Sequence, residues 1–330
     1  MRKRINLSWD DGPANSTSLI PLQAKSLSEP TRQPKIACMT PSVNSHVARA
    51  HASTLGSELT IRYHPTMPLK TAEQGRMPPI TYCDDSMMAY RSARKIFQPG
   101  EGVVFDEGYR LAHLPLVNAG HPAVIGETDG RDYRNGTYEK TRYALVMPIS
   151  ADAFLESGEA QALELAMKSS SFAPKIAWEV CELRRSRLHA TLVSGISEAD
   201  LDRCAAAVQD LLGQIGSISV CLKGPFQGTR NTGRIYFPVY PQNIRGEDPF
   251  ALVQKSIGVS PTKLYLVGYY HMRNELDPLE TRELAELIDR WRDRIVVRTT
   301  IPFLELYATN DDLALSARVH AKILAKEPQR

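Results

Sequence analysis

A histidine and a threonine two residues apart, in Arg187-Leu188-His189-Ala190-Thr191-Leu192-Val193, are the side chains best placed for chemistry. On a strand, the period of two sends Leu188, Ala190 and Leu192 to one face and His189 with Thr191 to the other. Imidazole titrates near pH 6.5 and takes or gives a proton, while a hydroxyl donates to a non-bridging oxygen, so the pair can serve a phosphoryl group. Basic residues crowd the same region. Arg184, Arg185 and Arg187 precede His189, and Lys223, Arg230 and Arg234 flank the loop Gly224-Pro225-Phe226-Gln227-Gly228-Thr229, a distribution that fits an anionic ligand. Tyr236, Tyr269 and Tyr270 could stack on a base, although aromatic residues on strands also serve as core. Downstream, His271-Met272-Arg273-Asn274 offers another imidazole, followed two residues later by a five-donor cation.

The elements that must position these residues become regular after Thr141. Tyr143 to Pro148 reads as a strand and Ala151 to Lys168 as mainly helix. Ile176 to Leu183 and Arg187 to Ser194 read as strands. Ser197-Glu198-Ala199-Asp200 resembles a capping box, and Leu201, Ala205, Val208, Leu212 and Ile215 lay one apolar stripe along the helix behind it. Strands at Ser217 to Leu222 and Arg234 to Val239 follow, then a short helix from Pro249 to Ser256 and an apolar strand from Lys263. Asp277-Pro278-Leu279-Glu280 opens another helix, with Leu284, Leu287, Ile288 and Trp291 on one side. Phe303 to Thr309, a turn at Asn310-Asp311-Asp312 and Leu313 to Val319 read as a hairpin. Successive strand-helix-strand units predict an α+β domain with a shared sheet over 141–330. Residues 1–140 read as a separate N-terminal region rich in Pro, Ser and Gly. It is loosely structured from Ala14 to Met87, with a short helix at Met87 to Phe97, a β-like piece at Gly102-Val103-Val104-Phe105 and a polar linker at Asp129 to Gly136.

Composition narrows the class. The 330 residues are 42% hydrophobic and 23% charged, ordinary globular values. The net charge of +3 gives no global field, so any basic surface is local. Five widely spaced cysteines without a C-x-x-C pair suggest a reduced, cytoplasmic chain. Acids follow the basic Met-Arg-Lys-Arg start where a signal peptide would be apolar, and the greasiest stretch, Leu264 to Tyr270, is too short to cross a membrane. Walker, dinucleotide, nucleophile-elbow and zincin motifs do not occur. His113 and His121 have no recognisable partner spacing and read as structural.

The order of a strand, a helix, Trp178, the strand carrying His189-Ala190-Thr191-Leu192 and a capped helix resembles the first half of the 2H phosphoesterases, the superfamily of RNA 2′,5′ ligase-like and cyclic phosphodiesterase-like proteins. The strand pair, short helix, apolar strand, helix and terminal hairpin resemble its second half, so the likeness covers about 141–320. It implies two pseudo-symmetric lobes, each giving an H-x-[ST]-x strand to a central cleft. One imidazole then acts as base, the other as acid, and the hydroxyls hold phosphate. By this resemblance His189 is an acid/base residue and Thr191 a phosphate donor. The second motif departs from the pattern. Aligned by the strand, it falls on Leu264-Tyr265-Leu266-Val267, which lacks both imidazole and hydroxyl and leaves half of the machinery. Aligned by the nearest histidine, it falls on His271-Met272-Arg273-Asn274, where His271 supplies the proton and Arg273 the phosphate grip. Both registers stay open.

These readings predict a protein that acts on, or only binds, 2′,3′-cyclic or 2′,5′ phosphoesters of RNA or nucleotides. His189, Thr191 and His271 are its catalytic candidates, and Arg187, Tyr269 and Arg273 its substrate-binding candidates. The resemblance implies no metal or organic cofactor and no membrane partner, and it leaves protein partners open. A different chemistry is suggested by Ile5-Asn6-Leu7-Ser8-Trp9-Asp10-Asp11-Gly12-Pro13, which resembles the first motif of polysaccharide deacetylases. That family needs two histidines about four residues apart for its metal. His46 and His51 are five apart, about 140° around a helix, so the metal set is incomplete.

Overall fold

A computed structural model describes residues 79–325 of the chain. Asp10, Asp11, His46, His51 and the expected loose stretch up to 78 lie outside the described residues. Three short helices come first: α1 (Tyr90–Ala93), α2 (Glu107–Ala112) and α3 (Leu114–Val117). Then follow β1 (Thr137–Pro148), α4 (Ala151–Leu155), α5 (Gly158–Lys168), α6 (Trp178–Arg184), β2 (His189–Ile196) and α7 (Leu201–Ile215). The chain continues through β3 (Ile218–Lys223), β4 (Arg234–Pro241), α8 (Pro249–Ser256), β5 (Leu266–His271), α9 (Pro278–Trp291), β6 (Ile295–Ile301), β7 (Phe303–Asp311) and β8 (Arg318–Leu324). The architecture is mixed α and β. Its eight strands form one antiparallel sheet in the order β6-β3-β4-β5-β2-β1-β7-β8.

The sheet is narrowest at its middle. β1 and β2 are matched over six residue pairs, whereas β2 and β5 meet through one, Ala190 with Val267. Four strands lie on each side of that junction. On one face, Leu163, Val208, Leu212, Val253, Leu284, Leu287 and Trp291 from α5, α7, α8 and α9 join Leu145, Met147, Ala190, Leu192, Phe237 and Val267 in one buried cluster. A full apolar side chain buried there contributes about 1.5–3 kcal/mol. The other face carries smaller clusters, one of Val146, Tyr307 and Ala314 and one of Val117, Ala177, Val180 and Leu313.

Several elements sit where the sequence puts them. The stripe on α7 buries Leu201, Cys204, Val208 and Leu212. Asp277 accepts from the backbone N–H of Glu280, and the Glu280 side chain returns to the Asp277 N–H, with Pro278 in the first turn. The start of α7 differs: the Ser197 hydroxyl donates to Asp200 Oδ2, a 3₁₀ turn intervenes, and no side chain caps the helix.

Three expectations are corrected. Ile176 to Leu183 is not a strand, because Ala177, Val180, Cys181 and Arg184 are buried at i, i+3, i+4 and i+7, the spacing of the helix α6. The last strand begins at Arg318 rather than Leu313. The Asp311 carboxylate captures the N–H groups of Leu315 and Ser316 and the Ser316 hydroxyl, folding 312–317 into a turn that buries Leu313. Gly102 to Phe105 forms no strand; Val103 makes a single bridge to Leu276. Residues 79–140 lie in the same compact unit as the sheet, and Tyr90, Val103, Phe105 and Tyr109 are part of its core.

The reciprocal cap on α9 yields the first prediction. Replacing Asp277 by Ala removes an N-cap and lowers stability by about 1 kcal/mol in urea unfolding. An unchanged midpoint would show that α9 is held by packing alone.

Candidate functional site

Along β2, Leu188, Ala190 and Leu192 are buried, His189 is half-buried and Thr191 is exposed, so the period of two places imidazole and hydroxyl on one face. Because Ala190 pairs with Val267, His189 and Gly268, each one residue away, point together to the opposite face from that pair. His189 Nδ1 lies 2.7 Å from the Arg187 carbonyl, so Nδ1 carries the proton and Nε2 keeps its lone pair. Tyr307 of β7 packs edge-on at 5.2 Å. Burial first, and the positive charge of Arg184 second, push the His189 pKa down to about 4, outweighing the Arg187 carbonyl. The imidazole is therefore neutral at pH 7.

The face that Gly268 leaves bare is filled from β4. A Cβ at 268 would collide with the Arg234 guanidinium, so glycine there is what lets the cation lie across the sheet. The same guanidinium stands 4.9 Å from the centre of the Tyr236 ring. Behind it lies Arg184, 1% exposed, at the end of α6. Arg184 Nε donates to the Leu313 carbonyl at 2.8 Å, and Nη1 donates to the Gly268 carbonyl at 2.5 Å and to His271 Nε2 at 3.0 Å. Neither arginine makes an ion pair with a carboxylate among the described residues.

His271 ends β5 opposite Arg234 and has no exposed surface. Its Nε2 accepts from Arg184, its Nδ1 has no partner, and its ring centre is 6.2 Å from that of buried His113. Burial and the charges of Arg234 and Arg184 hold His271 well below the usual histidine range, and the same causes act on His113. A bulge explains how His271 reaches this face. Tyr236 pairs with Gly268 and Ile235 with Tyr270, so Tyr269 is an extra residue. Tyr269 and Tyr270 both turn toward Phe237, at 5.3 and 6.2 Å, and the next side chain returns to the His189 side.

The sequence candidates thus divide. His189, Thr191 and Arg187 flank the Arg184–Arg234 face, with Arg187 Nη1 donating to the Ala314 carbonyl at 3.2 Å. Tyr269 looks the other way, into a cavity of about 370 Å³ that it shares with Phe154, Ala160, Phe237 and Tyr270. Arg273 lies beyond the end of β5, its guanidinium paired with Glu179 of α6. Arg184, Arg234 and Tyr236 appear in the sequence only as nearby basic or aromatic residues, and Tyr307 has no local signal. A lone glycine inside a strand, Gly268, is the one mark of a close approach. Among the described residues, no group of three or more His, Cys, Asp or Glu side chains is placed to hold a metal ion.

Three neutral imidazoles, His113 and His271 buried and His189 half-buried, set a pH dependence. Their folded pKa values lie below the unfolded value, so the unfolded chain takes up protons first and stability falls as pH drops through about 6.5. Each contributes a slope of about 1.4 kcal/mol per pH unit until its folded pKa is reached. The variant His271→Gln should therefore lose less stability than the parent between pH 6.5 and 5, by about that slope, in urea titrations; equal slopes would contradict a neutral buried His271. Raised carboxylates such as Asp248 and Glu305 act in both chains and cancel. Compared with known proteins, the chain matches no family model and no curated protein.

Proposed function

We propose that this chain is a 2H phosphoesterase-like protein that binds, and slowly opens, a 2′,3′-cyclic or 2′,5′ phosphoester of a nucleotide or RNA on the His189 face. The observation that carries the reading is the company His189 keeps. It has an Nε2 lone pair, the exposed Thr191 hydroxyl on its own face and, across Gly268, the Arg234 guanidinium, which has no carboxylate partner among the described residues. Arg234 and Thr191 hold non-bridging oxygens, and Nε2 takes a proton from the attacking water or hydroxyl. The four-and-four division of the sheet about the β2–β5 junction supports a two-lobed arrangement.

A second reading, a binding module without turnover, is favoured by one feature. His271 is fully buried with Nε2 engaged by Arg184, so it offers no proton to a leaving group. The leaving oxygen is protonated by water, and missing one general acid typically costs about 10²–10⁴-fold in rate. The buried free thiols of Cys83, Cys181, Cys204 and Cys221 support a reducing, cytoplasmic setting. No helix among the described residues is long and apolar enough to cross a membrane.

Calorimetry and turnover with 2′,3′-cyclic AMP test both readings. Under the first, the parent binds and opens the ring, and His189→Ala loses at least about 100-fold in turnover while binding stays within a few-fold. The acidic limb of kcat/KM falls at about 4, the free-enzyme pKa of His189, rather than near 6.5. A parent that binds without turnover is the module; one that neither binds nor turns over any nucleotide sinks both.

A further inference from the structure

Resting on the reading that the His189 face holds a phosphoester, we propose that its preferred ligand is a phosphomonoester dianion, the terminal 2′- or 3′-phosphate of a nucleotide or RNA end, over a cyclic or internal diester. The argument is a charge count. Arg184 and Arg234 lie together on this face, and Arg187 stands at its edge. Burial first, and the charge of Arg234 second, lower the Arg184 pKa to about 9, a like-charge repulsion that Cys181, Asp311 and Tyr236 relieve only in part.

The neighbouring acids supply only part of the balance: Asp311 acts on Arg184 from a distance, and no carboxylate pairs with Arg184 or Arg234 among the described residues. Asp311 spends its oxygens on the Leu315 and Ser316 N–H groups and the Ser316 hydroxyl. Asp312 accepts from the Tyr133 hydroxyl rather than from either arginine, and burial moves its pKa upward. Glu305 of β7 is likewise pushed up by burial, with Lys322 acting against that. His113, His189 and His271 are held neutral. The Arg234 Nε is buried without a hydrogen-bond partner.

A monoanion can offset one of the two inner cations, whereas a dianion offsets both. In a partly desolvated site the second charge is worth more than in water. The Arg234 guanidinium, 4.9 Å from the centre of the Tyr236 ring, is a planar fork, and a fork meets two non-bridging oxygens at once. A monoester presents three terminal oxygens to that fork and to Thr191, while a diester presents two. Arg184 is too buried to touch the ligand and acts at one remove, through its field.

The test is calorimetry at pH 7.5, above the second phosphate pKa of about 6. The probes are 3′-AMP, its 3′-methyl ester and 2′,3′-cyclic AMP. They separate charge from ring shape, since the first is a dianion and the others are an acyclic and a cyclic monoanion. We expect 3′-AMP to bind the parent at least about ten-fold more tightly than either diester. In Arg234→Gln the ratio should fall to about one, and in Arg234→Lys, which keeps the charge without the fork, it should lie between. A diester that binds the parent as tightly as 3′-AMP, or a ratio that survives Arg234→Gln, overturns the inference alone. Failure of all three probes to bind overturns the inference together with the function on which it rests. Should Arg234→Gln not fold, the parent comparison still decides.

Discussion

A guanidinium taken out of water must be given acceptors, and at Arg184 two come from β5 and one from the turn after β7. The Gly268 carbonyl belongs to β5, the Leu313 carbonyl to the turn after β7, and His271 Nε2 to the end of β5. An uncompensated buried charge costs about 3–5 kcal/mol, so removing any acceptor loosens the packing of α6 on the middle of the sheet. The connection closes on itself. The N–H of Ala177, just before α6, donates to the His271 carbonyl at 2.8 Å, and Arg184 at the far end of the same helix returns to the His271 side chain. One histidine therefore anchors both ends of α6, and it can do so only while neutral.

That anchor depends on the bulge at Tyr269. A regular strand would alternate Gly268, Tyr269, Tyr270 and His271 between faces and send His271 away from Gly268. The extra residue directs both tyrosines against Phe154, Trp178 and Phe237 and brings His271 back to the side where Arg184 waits. The absent side chain at 268 then clears the path for Arg234. Bulge and glycine together convert a strand without any imidazole and hydroxyl pair into the floor of a cationic face.

How far the sequence reveals this follows from the range of the interactions. Periodicity is local, so the stripe of α7, the cap of α9 and the opposed faces of β2 are legible from neighbouring residues. The α6 segment misleads because Ile176, Trp178 and Val180 favour strands individually, while its helical spacing shows only once Arg184 is known to be buried. The strand Ile295–Ile301 is rich in β-branched residues and still escapes a motif-led reading, because it pairs with β3 across more than 70 residues of chain. His189 and Thr191 are legible as a pair, and Arg184 and Arg234 only as nearby charge. Their convergence on Gly268 depends on strand pairing, a bulge and a side chain from the next strand, none of which is written in a local pattern.

The two registers considered for a second motif assume that its function, if retained, stays on the β5 strand. The geometry separates that function into its parts. Phosphate-holding can move to another strand, because a guanidinium on a long side chain reaches across from β4 and offers more donors than a threonine hydroxyl. Proton donation cannot move the same way. Burial first, and the charges of the two arginines after it, favour the neutral form of His113, His189 and His271. Burial and fixed positive charge together remove the protonated imidazole a leaving group would need. On the proposed reading, grip and acid catalysis compete for one buried, cationic environment, and the arrangement of Arg184, Arg234 and His271 favours grip.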